Sequence, residues 1–528
     1  MNKYLQQIKA DIDLPLIKKS IIFAVLFGFI VHGSNFFNPV YCHDSLQYYY
    51  QDTDVFWKIS IGRFMQAITI PLRGYDNIPL INGTLSLIFV GLSSYVIAKT
   101  LYIKNRINIY LISALIITSI SYITTNVLFF HELDPFMLSV LFASVGVYIF
   151  NKFRYGYIVA SVPFALCCGL YQPYMSVAIM LLMISIIREI LDGRHSSEII
   201  KKSLKVIITL ALAGFAYFFL YKLVAFLANI NIANSHNNVE LVFRFNYNSI
   251  GSTLFVTYWN VIKYYLFPYA GNLYISSFVV SVSIAIYALI LGVYKIKHSN
   301  ISAINLSLLL IILFLMPLAI NIATFLSSGV FHEAMIFSVV FIYVLFLILI
   351  EVSIKCKSFR FIAYALLFVV TFNGATFANR VYVERSIFFK ETHSMSFNIY
   401  KDLVSNFMFV KNNNIPIQII GNNHNYQMFN NKFTKIEYIN GSGVLFLTWF
   451  FENMVPIRSS NNQMTQAYFK MNFKTDLNFV ATEKDRDFTL DDELNSMPVY
   501  PADGYMKCVR DTIFIKFPME PQNLGANK

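Results

Sequence analysis

Long apolar runs separated by short polar segments dominate the first 378 residues of the chain. A helix needs about 20 apolar residues to cross the roughly 30 Å of hydrocarbon in a bilayer. Eleven runs reach or approach that length, namely 20–37, 78–97, 107–129, 135–150, 157–170, 174–187, 206–226, 275–294, 303–325, 334–350 and 361–377. The two runs that flank Tyr171-Gln172-Pro173 are short, which predicts a helix break at membrane depth that lines a cavity or packs on protein. The pattern therefore predicts a polytopic α-helical membrane domain with about eleven transmembrane helices.

The composition excludes an ordinary soluble fold. Hydrophobic residues make up 56% of the chain and charged residues 13%, whereas a typical soluble domain carries about 25% charged residues. The formal net charge of +12 does not indicate a nucleic-acid partner, because the basic residues punctuate apolar runs and do not gather on one water-facing surface. Loops on one side of the predicted helices hold 19 Lys and Arg residues, and loops on the other side hold five. Because basic loops resist translocation, the N-terminus is predicted to be cytoplasmic and the C-terminus to lie outside.

The chain is predicted to consist of three regions. Residues 1–19 form a cytoplasmic N-terminus, residues 20–378 form the transmembrane domain with outer loops at 38–77 and 231–274, and residues 379–528 form an outer soluble domain. Charged residues and Asn become frequent in this last region. Strands at 417–420 and 512–517, with helices near 393–410 and 444–453, predict an α/β fold there.

Carboxylates gather at the predicted outer ends of the helices. Asp44 follows the first apolar run, and Glu132 and Asp134 lie in a short turn between two others. A carboxylate there can take a proton from an attacking hydroxyl, and a cation such as Arg63 can stabilise a departing phosphate. The structural alternatives are that the acids solvate loops, that Asp134 caps the helix starting at Pro135, and that Arg63 anchors the chain at the membrane interface.

Further residues are candidates for binding a sugar or an acceptor, namely Trp57, Tyr171, Gln172, His332 and Glu333. The Gln172 amide can bond sugar hydroxyls or satisfy backbone groups that the following proline frees. The Trp57 ring can stack on a sugar face or lie at the membrane interface. Lys516, in the last predicted strand, is a second candidate for binding the donor phosphate.

No sequence feature indicates a cofactor. The five cysteines form no CxxC pair and no zinc-like spacing with histidine, and no Gly-rich nucleotide loop ends in Lys-Ser or Lys-Thr. Since a protein cation can neutralise a leaving phosphate, a metal is not expected.

The order of these features resembles the bacterial O-antigen glucosyltransferases of the serotype-converting kind, often carried on phage-derived cassettes. The resemblance rests on Asp44, Gly62-Arg63-Phe64, Tyr171-Gln172-Pro173, the stretch 497–504, and Ile513-Phe514-Ile515-Lys516. Phe64 departs from the pattern, in which Trp is commoner at this position.

The resemblance implies an inverting membrane glycosyltransferase of the GT-C architecture. It would move glucose from undecaprenyl-phosphate-glucose to O-antigen repeats of lipopolysaccharide at the periplasmic face of the inner membrane. The implied partners are this lipid donor, the polysaccharide acceptor, membrane lipid, a small flippase and an enzyme that synthesises the donor.

Other functions stay open at the level of the sequence. A flippase or exporter of lipid-linked sugars fits the same number of helices, and another polyprenyl-phosphate-dependent transferase, or an O-antigen ligase or polymerase, shares the outward site. A transporter is expected to carry polar groups along a path inside its helices. Here polar residues concentrate at the outer helix ends, which favours an enzyme.

Overall fold

A computed structural model describes residues 12–38, 54–73, 78–232, 249–268, 275–299, 301–327, 329, 331–354, 356–407, 415–420, 466, 468–480 and 492–517. Contacts divide the chain into two compact units, with a boundary between Arg380 and Val381. This boundary lies two residues from the position at which the composition changes.

All regular secondary structure in the described residues of the first unit is helical. Its helices are α1 (Leu14–Phe37), α2 (Asp54–Ser60), α3 (Gln66–Leu72), α4 (Pro79–Thr100), α5 (Arg106–Ile117), α6 (Ile120–Leu128), α7 (Leu133–Lys152), α8 (Gly156–Val159), α9 (Ser161–Leu170), α10 (Met175–Leu191), α11 (Ser196–Leu227), α12 (Ile250–Leu266), α13 (Ile275–His298), α14 (Ala303–Ile320), α15 (Ile322–Leu326), α16 (Phe341–Ser353) and α17 (Lys357–Asn406), which continues past the boundary. Three 3₁₀ segments, Phe130–Glu132, Gln172–Tyr174 and Glu333–Val340, directly precede α7, α10 and α16.

The predicted membrane class is confirmed, and most of the eleven predicted crossings are found as helices of spanning length. Every predicted apolar run falls on helical structure. Within the described residues, nine helices are long and apolar enough to span a membrane, or ten when α5 and α6, bent by 46°, count as one span. The remaining run, predicted at 157–170, forms the shorter helix Gly156–Leu170, which is interrupted at Ala160.

This short helix still joins the two ends of α7. At its start, the Gly156 amide donates to the Phe153 carbonyl, next to the last residue of α7. Directly after its end, the Tyr171 ring stacks on Phe136 in the first turn of α7, with ring centroids 3.9 Å apart. The chain therefore returns along most of the length of α7, and the returning helix is short because it ends at Leu170, directly before Tyr171 meets Phe136 in the first turn of α7.

Small residues let the helices approach closely. A Cβ added at Gly91 in α4 would lie 2.7 Å from the Cα of Ile21 in α1, so the two backbones are in contact there. The Ser20 hydroxyl donates to the Gly91 carbonyl at 3.1 Å across the same interface. Without a hydrophobic driving force between helices in lipid, such close packing and interhelical hydrogen bonds hold a membrane bundle together.

The second unit contains a four-stranded sheet with the order β2 (Asn478–Phe479), β1 (Pro416–Ile420), β4 (Thr512–Lys516) and β3 (Met506–Val509). β1 pairs in parallel with β2 and β4, and β3 with β4 antiparallel. The predicted strands thus occur as β1 and β4, and the helix predicted near 393–410 is the end of α17. The helix predicted at 444–453 lies outside the described residues.

Replacing Gly91 by alanine is expected to lower the stability of the detergent-solubilised protein by about 1–3 kcal/mol, since the added methyl forces α1 and α4 apart. The measurement is the thermal unfolding midpoint. Gly292→Ala in α13 is the control, because nothing lies within 4 Å of the added methyl and alanine favours a helix by up to about 1 kcal/mol. Equal midpoints for both variants would contradict the backbone contact.

Candidate active site

A buried group of charged side chains lies where α7 begins. The Glu132 carboxylate, 1% exposed, accepts hydrogen bonds from Lys58 on Oε1 and from Arg63 Nη1 on Oε2, the latter at 2.8 Å. Beside it, Arg73 is paired with Asp134. We call these five residues the Glu132 cluster. Three cations face two carboxylates, so the cluster carries a formal charge of +1 when all are ionised.

The segment between α2 and α3 positions Arg63. Gly62 has a φ of +83°, and a Cβ at this position would lie 2.3 Å from the Tyr217 hydroxyl oxygen. Glycine is required there, because other residues rarely adopt this conformation and none fits the space. Phe64 on the other side of Arg63 packs on Gly169, where an added Cβ would approach the ring to 2.6 Å. Gly-Arg-Phe is thus a turn fixed on both sides of its arginine.

The predicted break at Tyr171-Gln172-Pro173 packs against this turn. The Gln172 amide nitrogen donates to the Ile61 carbonyl at 2.8 Å. The Tyr171 ring, stacked on Phe136, lies 4.9 Å from the guanidinium carbon of Arg63. The amide nitrogen of Gln172 therefore bonds a main-chain carbonyl of the Arg63 turn and not a group that Pro173 frees, and Tyr171 supports the arginine. A sugar-binding role for either residue stays a prediction.

His332 and Glu333 lie at the start of the Glu333–Val340 segment. The Nδ1 atom of His332 accepts a main-chain amide of that segment at 3.0 Å. Glu333 accepts the Tyr264 hydroxyl at 2.7 Å. Burial, and then the charge of Glu333, raises the pKa of Tyr264 far above its ordinary value, so the hydroxyl keeps its proton and donates. The Phe129 ring contacts the His332 ring, with centroids 5.2 Å apart.

Other predicted residues lie away from the cluster or outside the described residues. Asp44 is among the residues that the structure does not describe, so its role as base stays a prediction. Trp57, in α2 next to Lys58, is 40% exposed. Lys516 is buried in the second unit, and its ammonium donates to the carbonyls of Leu494, Asn495 and Met497 at 2.8–3.0 Å. Since an ammonium has three donors, Lys516 ties β4 to the short helix Asp492–Asn495 and the turn after it, and its phosphate-binding role stays a prediction.

Sequence reasoning does not single out Lys58 or Arg73 as site residues. Both are among the five Lys and Arg residues of the predicted outer loops. At the level of the sequence, Lys58 and Arg73 serve only to predict the topology. The available signal is their rarity: three of those five cations, Lys58, Arg63 and Arg73, belong to the Glu132 cluster.

The ion pairs indicate which residues of the Glu132 cluster hold others in place and which can contact a ligand. The Glu132 carboxylate already accepts from two cations, and Asp134 from one, so both are better suited to holding cations than to removing a proton. Arg63 is the cation with most access to a ligand. Its side chain is 22% exposed, against 7% for Lys58 and 5% for Arg73. The cluster can therefore offer a fixed guanidinium to an anion.

No group of three or more His, Cys, Asp or Glu side chains in the described ranges is arranged to hold a metal ion. Metal independence stays a prediction.

Comparison with known proteins gives one match. A family model described as "Glucosyl transferase GtrII" matches residues 33–350. The matched region contains the whole Glu132 cluster and both the Gly62-Arg63-Phe64 and Tyr171-Gln172-Pro173 segments. No curated protein and no solved structure matches the chain significantly.

Replacing Glu132 by glutamine is expected to destabilise the protein by about 3–5 kcal/mol, because two cations lose their buried counterion. The measurement is thermal unfolding in detergent. Adding Lys58→Met to Glu132→Gln removes one of the two stranded charges, and the double variant is expected to regain part of the loss.

Glu198→Gln is the matched control, because Glu198 is exposed at the start of α11. It is expected to change stability by less than about 1 kcal/mol. If Glu132→Gln unfolds at the same temperature as this control, Glu132 does not hold the cluster together.

Proposed function

Because the chain belongs to the GtrII glucosyl transferase family, we propose that it transfers glucose from undecaprenyl-phosphate-glucose to O-antigen repeat units of lipopolysaccharide. Membership of this family and the apolar helices make the protein a membrane glucosyltransferase. The donor, the acceptor and the side of the membrane are the proposed part. In this proposal the enzyme lies in the bacterial inner membrane, its N-terminus is cytoplasmic, and the reaction and the C-terminal domain are periplasmic.

The observation that carries the proposal is the position of Arg63. A polyprenyl-phosphate sugar combines an apolar tail with an anionic head, so its site needs a cation beside a membrane-spanning surface. Arg63 is partly exposed, and its partner Glu132 directly precedes α7. The helix formed by α7 is apolar enough to span the membrane. The cluster that holds it carries a net positive charge, which is the sign that a phosphate requires.

Arg63 would stabilise the negative charge that grows on the departing phosphate. Its planar guanidinium can bond two phosphate oxygens at once, and the interaction strengthens as charge develops in the transition state. Glu132 orients this guanidinium through Nη1, and Tyr171 supports it from the side of the ring. In the proposal these two residues position Arg63 and do not react.

Asp44 is the proposed general base. It would take the proton from an acceptor hydroxyl as that oxygen attacks the anomeric carbon of glucose, with inversion. The bond between the anomeric carbon and the phosphate oxygen breaks, and the phosphate leaves with the electron pair. Glu132 and Asp134 are the competing candidates, and their ion pairs favour Asp44.

The acceptor would be bound by the remaining predicted residues. Trp57 exposes its ring one residue before Lys58, which suits stacking on a sugar face. His332 and Glu333 are joined to the region of α7 through Phe129, which contacts both the His332 ring and Phe136. The GT-C architecture also belongs to the proposal.

The test is transfer of radiolabelled glucose from synthetic undecaprenyl-phosphate-glucose to purified O-antigen, by the full-length protein in detergent containing EDTA. Labelled polysaccharide is expected with the wild type and none with Asp44→Asn, while both unfold at the same temperature. If Asp44→Asn keeps its activity, the base is Glu132 or Asp134. If the wild type makes no product but moves the glycolipid across reconstituted vesicles, the flippase alternative replaces the enzyme.

Arg63→Gln is expected to lower kcat about 100–1,000-fold, the effect of removing one donor from a developing anion. Glu132 keeps its pair with Lys58 in this variant, so the protein is expected to fold. Arg63→Lys is expected to recover only part of the rate, because an ammonium cannot bond bidentately.

Arg154→Gln removes the same charge from an exposed position and serves as the control. A folded Arg63→Gln variant with the turnover of this control would show that Arg63 does not stabilise the leaving phosphate.

A further inference from the structure

A cavity of about 450 Å³ lies at the end of α7 opposite the Glu132 cluster. It is lined by the start of α1, the end of α4, the turn into α5 and the end of α7, and it opens to the protein surface. At 1.5 Å per residue, α7 separates this cavity from the cluster by about 30 Å. The cavity is thus distinct from the candidate active site.

The lining of the cavity is positively charged. Four basic side chains, Lys99, Lys104, Arg106 and Lys152, line it together with one acid, Asp13. The Asp13 carboxylate accepts the Leu16 amide at 3.0 Å and so caps the start of α1. Cations therefore outnumber anions, and the cavity suits a negatively charged group.

The floor of the cavity offers a neutral polar group as well. Asn151, in the last turn of α7, lines the cavity. Its side-chain oxygen and nitrogen are both buried and have no hydrogen-bond partner in the part of the chain described. A buried amide left without partners is costly, and a ligand with hydrogen-bonding groups would offer Asn151 the partners that it lacks.

Hydrogen bonds fix the turn that carries the basic residues. The Ile103 amide donates to the Ala98 carbonyl at 2.8 Å, closing the end of α4. The Lys104 amide donates to Glu351 at 2.8 Å, and the Asn105 side chain donates to the Tyr364 hydroxyl at 2.8 Å. The main chain that carries Lys104 and Arg106 is therefore held in place before any ligand binds, so no turn has to be ordered on binding.

Apolar side chains flank the cavity at the protein surface. Leu14 at the start of α1 is 69% exposed, and Ile107 next to Arg106 is 54% exposed. We propose that this cavity binds the phosphate-bearing headgroup of an anionic membrane lipid, whose acyl chains cover these residues. A free phosphate would use the charges and leave the apolar flank uncovered. Retention of basic loops on one side of a membrane explains the lysines, but it explains neither the cavity nor the unpaired amide.

The test is lipid binding by the purified full-length protein in a neutral detergent, followed by native mass spectrometry and by the thermal unfolding midpoint. The probes are dioleoylphosphatidylglycerol, dioleoylphosphatidylcholine and inorganic phosphate. Phosphatidylglycerol is expected to bind and raise the midpoint, and the zwitterionic lipid and inorganic phosphate are expected to do neither. The variant Lys99→Gln/Lys104→Gln/Arg106→Gln is expected to bind phosphatidylglycerol about 100-fold more weakly, since each basic residue contributes about a factor of five.

Two further variants separate the cavity from the overall charge. Lys295→Gln/Lys297→Gln/Lys357→Gln removes three basic residues that do not line the cavity, and its binding is expected to equal that of the wild type. Asn151→Leu keeps the charge but removes the polar floor, and it is expected to weaken binding. Equal loss in both triple variants, or unchanged binding in the cavity variant, would overturn the proposal. Stabilisation by inorganic phosphate alone would replace the lipid by a soluble phosphate.

Discussion

The Glu132 carboxylate binds two cations in the protein interior, where water cannot fully solvate any of the three charges. Its carboxylate is almost completely buried, and Lys58 and Arg63 each occupy one of its oxygens. Removing a partner from such a group costs far more than the group contributes in net stability, because the remaining charge stays buried. The interaction therefore fixes where α2 and the turn after it lie against α7. The other features of the candidate site follow from that placement.

The segments Gly62-Arg63-Phe64 and Tyr171-Gln172-Pro173 both help to hold Arg63 beside Glu132. Gly62 and Gly169 remove the side chains that would keep the Arg63 turn away from α11 and α9. Gln172 then bonds the backbone of the turn, and Tyr171 supports the guanidinium. Each of these contacts contributes little stabilisation by itself, but together they leave Arg63 in one orientation. A preorganised cation costs no reorganisation when charge develops on a ligand, which is why such sites need many supporting contacts.

Apolar periodicity was enough to predict the helices, but not how charges pair between them. The run at 157–170 is predicted as a crossing because its composition is apolar, whereas its short length reflects the break after Leu170, which depends on packing against Phe136. Arg63 and Glu132 are both found by sequence reasoning, yet as separate candidates with separate roles. Their pairing requires two segments 69 residues apart to meet. The contacts of Lys516 depend on the fold in the same way, since the three carbonyls that accept from its ammonium lie about 20 residues earlier, and its role as a phosphate ligand stays a prediction.

The distribution of Lys and Arg residues between the two sides of the membrane indicates why these ion pairs are present. On the predicted orientation, basic residues in outer loops must cross the membrane during insertion, and only five are present there. Solvation of a loop does not require Lys or Arg, because Asn, Ser or an acid serves equally well. Three of the five lie in one buried cluster, where each is paired with a carboxylate. Fold stability alone is a weak explanation for such a cluster, since replacing a buried ion pair by apolar residues of similar volume is often neutral or stabilising. A site that must present one positive charge to an anionic ligand does explain it, because Glu132 and Asp134 neutralise two of the three cations and leave the charge of one in excess.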